Sequence, residues 1–131
     1  MDVAVKHAIS SPPAFNVRIS AILVFKNKII SFGTNQEKSH PLQDKHKRNE
    51  HSIYLHAEVD AIRNAFKQKN VDIHIIRKST MYVARVKQKP HDDTFYWGLC
   101  KPCSGCRNAI ETVDIKEVYY TTNEETMERL T

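Results

Sequence analysis

The stretch V-R-I-S-A-I-L-V-F-K-N-K-I-I-S-F, residues 17–32, predicts how the fold begins. Residues 17–25 are dense in β-branched and aromatic side chains, which are typical of a β-strand. Residues 26–28 read Lys-Asn-Lys and predict a turn. Residues 29–32 then return as a second strand, so the fold should open with an antiparallel hairpin.

The segments that follow the hairpin alternate between helix and strand patterns. Leu55, Val59, Ile62 and Phe66 recur at helical spacing and predict one apolar stripe on an amphipathic helix. The predicted elements are a helix over 56–69, a strand over 80–86, a helix from about Pro102 to Thr112, and a strand over 115–121. Three further segments complete the chain: a short first helix over 3–9, a loop over 87–98, and a frayed turn or short helix after the last strand.

The element order α-β-β-α-β-α-β favours an α/β fold. Strands that are separated by helices pair in parallel through right-handed crossovers. We therefore expect a three-layer α-β-α domain whose mixed sheet opens with the antiparallel hairpin. If both crossovers place their helices on one face, the two central helices begin side by side. A length of 131 residues suits one domain, here residues 1–131.

Composition restricts the class of protein. The apolar fraction of 40% suits a globular chain with a core, and no apolar run is long enough to span a membrane. The first residues lack the apolar stretch of a secretory signal. Three cysteines at three-residue intervals, Cys100, Cys103 and Cys106, favour metal binding in a reducing compartment over disulfides, so we expect a cytoplasmic location. The net charge of +5 favours anionic partners such as nucleotides or nucleic acid, without being diagnostic.

Two short motifs open the two central helices and together predict a metal site. H-A-E occupies residues 56–58, and P-C-S-G-C occupies residues 102–106. Cys103 and Cys106 lie three residues apart on one helical face, and a helix N-terminus stabilises thiolates. With His56 they form a two-sulfur, one-nitrogen set that suits Zn²⁺ and leaves its fourth position for water.

Glu58 indicates what such a site could do. It follows His56 by two residues in the first helical turn, close to the metal without being a ligand. A carboxylate at this place can accept a proton from water activated by the metal and return it to a substrate. H-x-E followed by P-C-x-x-C is the pattern of zinc-dependent nucleobase deaminases, and this chain matches it without a gap or substitution.

Other interpretations of these residues remain open. Cys100 could close a structural zinc site as a fourth ligand, and the chain would then be a non-catalytic zinc module that binds nucleic acid. Alternatively, His56 could be a surface histidine and the cysteines buried small side chains. The apolar sequence W-G-L-C that ends at Cys100 and the presence of Glu58 favour a core position for Cys100 and an open, catalytic site.

The motifs resemble those of the cytidine and deoxycytidylate deaminase superfamily over roughly residues 15–122. H-A-E-V-D-A-I (56–62) is similar to the H-A-E-x-N-A-I of deoxycytidylate deaminases, and F-G-T-N (32–35) resembles the G-x-N that ends the second strand. The resemblance implies that Asn35 contacts the sugar and that the backbone of Ala57 holds the base. It also implies a homo-oligomer.

Three features depart from the family pattern or are left open by it. Asp60 stands where the relatives usually have asparagine. About a dozen extra residues precede the P-C-x-x-C helix, and their Phe95, Tyr96 and Trp97 could form a flap over the site or a subunit interface. The basic segment 36–51 could face a phosphate or simply be solvated; its candidate phosphate ligands are Lys38, His40, Lys45, Lys47 and Arg48.

The sequence thus predicts a zinc-dependent hydrolase that converts the cytosine of a free deoxycytidine nucleotide, with dCMP as the leading substrate, to uracil and ammonia. Glu58 is the expected proton carrier, and His56, Cys103 and Cys106 are the expected ligands of Zn²⁺. The runner-up is a deaminase acting on cytosine or adenine in single-stranded DNA or tRNA, which must unstack its target base.

Overall fold

A mixed β-sheet lies at the centre of the protein. The computed structural model describes residues 1–10, 18–36, 56–89 and 94–131. The strands among these residues are β1 (Arg18–Phe25), β2 (Lys28–Thr34), β3 (Thr80–Gln88), β4 (Phe95–Gly98), β5 (Glu117–Thr121) and β6 (Met127–Arg129). The helices are α1 (Asp2–Ser10), α2 (Ala57–Phe66), α3 (Ile73–Arg77) and α4 (Ser104–Val113).

The strand order of the sheet is β2-β1-β3-β5-β6. β1 runs antiparallel to both of its neighbours, β2 and β3, whereas β3 and β5 are parallel. The mixed sheet with an opening antiparallel hairpin is therefore confirmed. β2 and β3 point in the same direction, so the segment between them returns across the sheet before β3 begins.

Alternating residues of the strands face two different helix layers. Ala21 and Leu23 of β1 belong to the core under α2 and α4, whereas Ile22 packs with Ala4 of α1 on the opposite face. A hydrogen bond of 2.7 Å between His7 Nδ1 and Ser20 Oγ also attaches α1 to β1. The three-layer α-β-α arrangement predicted from the element order is confirmed.

The predicted loop over 87–98 is wrong in part. β3 continues to Gln88, and residues 95–98 form β4, which pairs with β3 in antiparallel register from Arg85↔Gly98 to Gln88↔Phe95. β5 covers β3 only as far as Val83, so the remaining edge of β3 is available to β4. The extra residues thus extend the sheet beyond the end of β5.

The segment after the last predicted strand, expected to be a frayed turn or a short helix, instead ends in a strand, because residues 127–129 form β6 on the edge of β5. The short helix α3 was not predicted; Asp72 caps it by accepting a hydrogen bond from the amide of Ile75 at 3.0 Å. Phe66 was placed on the buried stripe of the helix over 56–69, yet its side chain is exposed. Among the described residues, no helix is long and apolar enough to cross a membrane.

Candidate metal centre and active site

The N-termini of α2 and α4 meet on one face of the sheet. His56 is the N-cap residue of α2, and Cys103 is the N-cap residue of α4. Cys103 Sγ accepts a hydrogen bond from the amide of Cys106 at 3.5 Å, because residues three apart lie on one face of the first turn. The structure therefore brings the two sequence motifs together, as expected if both crossovers lie on one face.

His56, Cys103 and Cys106 form a cluster whose ligand atoms lie within 4.8 Å of one another. His56 Nδ1 is 3.1 Å from Cys106 Sγ and 3.6 Å from Cys103 Sγ. A tetrahedral zinc ion, with bonds of about 2.0 Å to nitrogen and 2.3 Å to sulfur, would hold these atoms roughly 3.5 Å apart. The cluster therefore fits Zn²⁺ in both the identity of its donors and their spacing.

Hydrogen bonds among His56, Cys103 and Cys106 shift the pKa values of all three side chains. A hydrogen bond from Cys106 lowers the pKa of Cys103 to about 4, and the same bond raises the pKa of Cys106 well above its ordinary value. A hydrogen bond with Cys103 raises the pKa of His56, against the opposing effect of burial. Cys103 is thus a thiolate that attracts either protons or a cation, and a metal that binds here displaces protons from its neighbours.

Cys100 lies in the core rather than in the cluster of ligands. Its side chain is 8% exposed and packs with the core beneath α2 and α4. Burial raises the pKa of the Cys100 thiol well above its ordinary value, and the guanidinium of Arg85 opposes this only in part. Because Cys100 packs with the core and lies outside the group formed by His56, Cys103 and Cys106, the core position expected for it is confirmed.

Glu58 is buried next to the cluster, with 5% of its surface exposed. Burial raises the pKa of the Glu58 carboxyl, while hydrogen bonds with its own backbone and with Cys106 oppose this effect. A carboxyl group whose pKa moves towards neutrality both accepts and releases protons readily. The structure thus places a buried carboxyl group with a raised pKa beside the three potential ligands.

A close approach of backbones holds α2 against β2. A Cβ atom on Gly33 would lie 2.3 Å from the carbonyl oxygen of Ala57 and 2.3 Å from the amide nitrogen of Ala61. Ser31 Oγ donates to the carbonyl of Ala61 at 2.9 Å. Only glycine permits this contact, and it fixes the fully buried Ala57, next to His56, against the end of β2.

Asp60 connects α2 to the end of β2. Its Oδ2 accepts hydrogen bonds of 3.0 Å from the amide of Thr34 and from Gln36 Nε2. Its Oδ1 accepts from Arg63 at 2.7 Å within an ion pair whose carboxylate is almost fully buried. The substitution of asparagine by Asp60, noted in the sequence, thus comes with a cationic partner.

Asn35 lies just beyond the end of β2. Its side-chain Oδ1 accepts a hydrogen bond of 3.0 Å from the backbone amide of Ile19, and the backbone amide of Asn35 donates to the carbonyl of Ile19 at 3.3 Å. The side chain of Asn35 is therefore held at the same end of the sheet as the N-terminus of α2, which Gly33 contacts.

Arg85, a charged residue on the side of β3 that packs under α2 and α4, was not singled out from the sequence. It lies near the end of β3, in register with Ile19 of β1 and Gly98 of β4. Because side chains alternate along a strand, Arg85 faces the same side as Met81 and Val83, which pack under α2 and α4. A charged residue within the apolar stretch T-M-Y-V-A-R-V was the only indication that Arg85 has a special position. The side of the sheet that its side chain faces depends on strand register, which the sequence does not give.

The aromatic residues of the inserted segment face different sides of the sheet. The register places Phe95 and Trp97 on the α1 side and Tyr96 on the side of the metal-ligand cluster. Tyr96 is partly exposed and lies 5.9 Å from Lys87 Nζ. The candidate phosphate ligands of the 36–51 segment, Lys38 to Arg48, lie outside the described residues.

One comparison with known proteins identifies the family of this chain, and another shows its fold. The family model described as the cytidine and deoxycytidylate deaminase zinc-binding region matches residues 1–122. A comparison with curated protein sequences found no significant match. Among solved structures, the dCMP deaminase of cyanophage S-TIM5 in apo form is 20% identical, with a TM-score of 0.58 over 92% of this chain and 81% of that chain.

The structure of the same phage enzyme in complex with dCMP and dUMP is 21% identical, with a TM-score of 0.58 over 92% of this chain and 76% of that chain. These matches confirm the cytidine-deaminase-like fold. The resemblance predicted from the H-A-E and P-C-x-x-C motifs is likewise confirmed by the family match, which covers both of them. The chain therefore belongs to the family of the cytidine and deoxycytidylate deaminase zinc-binding region.

Proposed function

We propose that residues 1–131 act as one zinc-dependent deaminase domain that converts dCMP and water to dUMP and ammonia. The observation that carries the proposal is the burial of the Glu58 carboxyl beside a histidine and two cysteines whose spacing fits Zn²⁺. A structural zinc site has no use for a proton-carrying group at this place.

His56, Cys103 and Cys106 would hold the metal. When bound, Zn²⁺ would supply a water made acidic enough to provide a nucleophile for C4 of the cytosine ring at neutral pH. The two thiolates and the imidazole would neutralise the charge of the ion, so the binding of an anionic substrate would depend on other residues.

Glu58 would carry the protons. Its carboxylate accepts a proton from the attacking water and delivers it to the ring nitrogen adjacent to C4. It then transfers the second proton to the exocyclic amine, which leaves as ammonia while the C4 oxygen becomes the carbonyl of uracil. The raised pKa of Glu58 supports this role, because the group must hold each proton briefly and release it.

Ala57 and Asn35 would position the substrate. The amide of Ala57 is the first of α2 and has no acceptor in its own helix, so it is suited to donate to the base. Asn35 would bind the sugar from the end of β2. The contacts of Gly33 with Ala57 and of Asp60 with Thr34 keep these two elements at a fixed separation.

The choice of dCMP over other cytosine compounds rests on the sequence motifs and on the fold shared with a phage enzyme that binds dCMP and dUMP. The test is ammonia release from a panel of deoxycytidine, dCMP, dCTP, single-stranded DNA and tRNA. We expect the highest kcat/KM for dCMP. Preferential deamination of the oligonucleotide or the tRNA would replace this proposal with the polynucleotide alternative.

A further inference from the structure

We infer that Arg85, assisted by Lys87, binds the phosphate of the nucleotide substrate and gives the enzyme its preference for nucleotides over nucleosides. The inference rests on the proposed function and assigns a residue to the phosphate group, for which the sequence pointed only to the 36–51 segment.

The surroundings of the Arg85 guanidinium suit an anion. Its Nε atom is buried and has no hydrogen-bond partner in the structure. The ion pairs found between described residues join Arg63 with Asp60 and Arg107 with Glu111, and neither includes Arg85. A partly buried guanidinium without a carboxylate partner among the described residues is costly, and an oxyanion that accepts from its planar fork removes that cost.

The position of Arg85 is fixed by its backbone. Its amide donates to Thr121 Oγ1 at 3.0 Å, and Thr121 Oγ1 donates in turn to the carbonyl of Gly98 at 2.7 Å. Thr121 is fully buried at the junction of β3, β4 and β5. A cation held on a rigid strand orients a ligand better than one on a loop.

Gly98 makes room for two cationic side chains. A Cβ atom at Gly98 would lie 3.0 Å from Lys87 Cε and 3.3 Å from Arg85 Cδ. Both stems therefore pass over the same glycine, on the side of the sheet that carries the metal-ligand cluster. Lys87 adds a second positive charge, and its Nζ atom lies near the ring of Tyr96.

The positions of three residues on neighbouring strands relate Arg85 and Lys87 to the rest of the site. Asn35, Ile19 and Arg85 lie on successive strands, because Asn35 bonds to Ile19 and Ile19 pairs with Arg85. Neighbouring strands are about 4.8 Å apart, so the Cα atoms of Asn35 and Arg85 are separated by roughly 10 Å. The Cδ atom of Arg85 lies over Gly98 of β4, on the edge of β3 opposite β1, so the phosphate would bind on the β4 side of a sugar held by Asn35.

The experiment compares the affinities of dUMP and deoxyuridine by calorimetry for the zinc-loaded wild type and for Arg85→Gln. Neither ligand reacts, so binding is measured independently of turnover. The quantity of interest is the ratio of the two affinities, which cancels any general loss of folded protein. Loss of charge-assisted hydrogen bonds should lower this ratio about 10- to 100-fold in Arg85→Gln, with a smaller fall in Lys87→Gln.

Arg77→Gln is the matched control, since Arg77 is exposed on α3 and its replacement changes the net charge equally. It should leave the ratio unchanged. An unchanged ratio in Arg85→Gln, or an equal fall in Arg77→Gln, would overturn the inference. If the wild type releases no ammonia from any cytosine compound but its dUMP affinity still depends on Arg85, the proposed function fails and the phosphate site stands.

Discussion

His56 Nδ1 lies 3.1 Å from Cys106 Sγ, although fifty residues separate them along the chain. The contact exists because both side chains belong to the first turns of helices that begin at the same end of the sheet. Each helix N-terminus contributes unpaired amides and a positive dipole end, which favour the thiolate form of cysteine. The metal-ligand cluster is thus a product of topology as much as of its three residues.

Replacement of Glu58 by glutamine should remove proton transfer and leave the ligands in place. We expect kcat for dCMP to fall by about 10²- to 10⁴-fold, the usual contribution of a general acid–base group. Zinc content, measured by atomic absorption, should equal that of the wild type. Glu111→Gln is a control on the exposed side of α4 and should keep full activity. Turnover by Glu58→Gln at the rate of the wild type would contradict the assignment.

Single replacements of the three cysteines should distinguish those that bind zinc from the one that packs in the core. Cys103→Ala and Cys106→Ala should lose nearly all zinc, because two remaining ligands hold the ion weakly. Cys100→Ala should retain it, since Cys100 is packed in the core and lies outside the cluster. The measurement is zinc stoichiometry after dialysis of purified protein. Loss of zinc from Cys100→Ala would restore the structural, four-ligand alternative.

Much of this site was predictable because its determinants are local. The H-A-E and P-C-S-G-C motifs mark the beginnings of two helices, and hydrophobic periodicity showed that strands flank them. Arg85 could not be assigned from the sequence, because one step of strand register decides whether its side chain faces α1 or the site. β4 was missed for a related reason: four residues form a strand there only because β5 leaves part of β3 uncovered.

The thiols should differ in reactivity once zinc is removed. Cys103 has a pKa lowered to about 4 and is half-buried, whereas the pKa values of Cys100 and Cys106 are raised well above the ordinary value. Above pH 5 the zinc-free protein should therefore be alkylated by iodoacetamide at Cys103 alone, as located by peptide mass spectrometry.

The alkylation rate of Cys103 should depend on pH differently from that of an ordinary thiol. As long as the pH is below its pKa of about 8.5, an ordinary thiol reacts about tenfold faster for each unit by which the pH rises, because its thiolate fraction rises in proportion. The alkylation rate of Cys103 should instead be nearly flat from pH 6 to 8, and bound zinc should suppress it. A rate that climbs tenfold per unit over this range would show that Cys103 is not a thiolate.

Gly33→Ala should destabilise the fold at the contact between β2 and α2. The added Cβ would meet backbone atoms of Ala57 and Ala61 at 2.3 Å, so a helix rather than a side chain must move. We expect the free energy of unfolding in urea to fall by about 3 kcal/mol, at the upper end for an overpacked site. Ser31→Ala removes only the hydrogen bond to Ala61 and should cost about 1 kcal/mol. Equal costs for the two variants would mean that the helix adjusts freely.

Asp60→Asn tests whether this chain requires a carboxylate where its relatives carry asparagine. The amide would still accept from Thr34 but would present an N–H group or a neutral oxygen to Arg63, whose Nε atom already lacks a partner. We expect the free energy of unfolding to fall by about 2–3 kcal/mol, since removing one member of a largely buried pair leaves the other uncompensated.

The double variant Asp60→Asn/Arg63→Gln should recover part of that loss, because it removes the stranded cation as well as the carboxylate. Urea denaturation of the two single variants and the double variant gives the coupling energy between the two side chains. If the double variant is as unstable as the sum of the single variants, Asp60 acts only as the acceptor for Thr34 and Gln36. In that case the ion pair does not explain why aspartate replaces asparagine here.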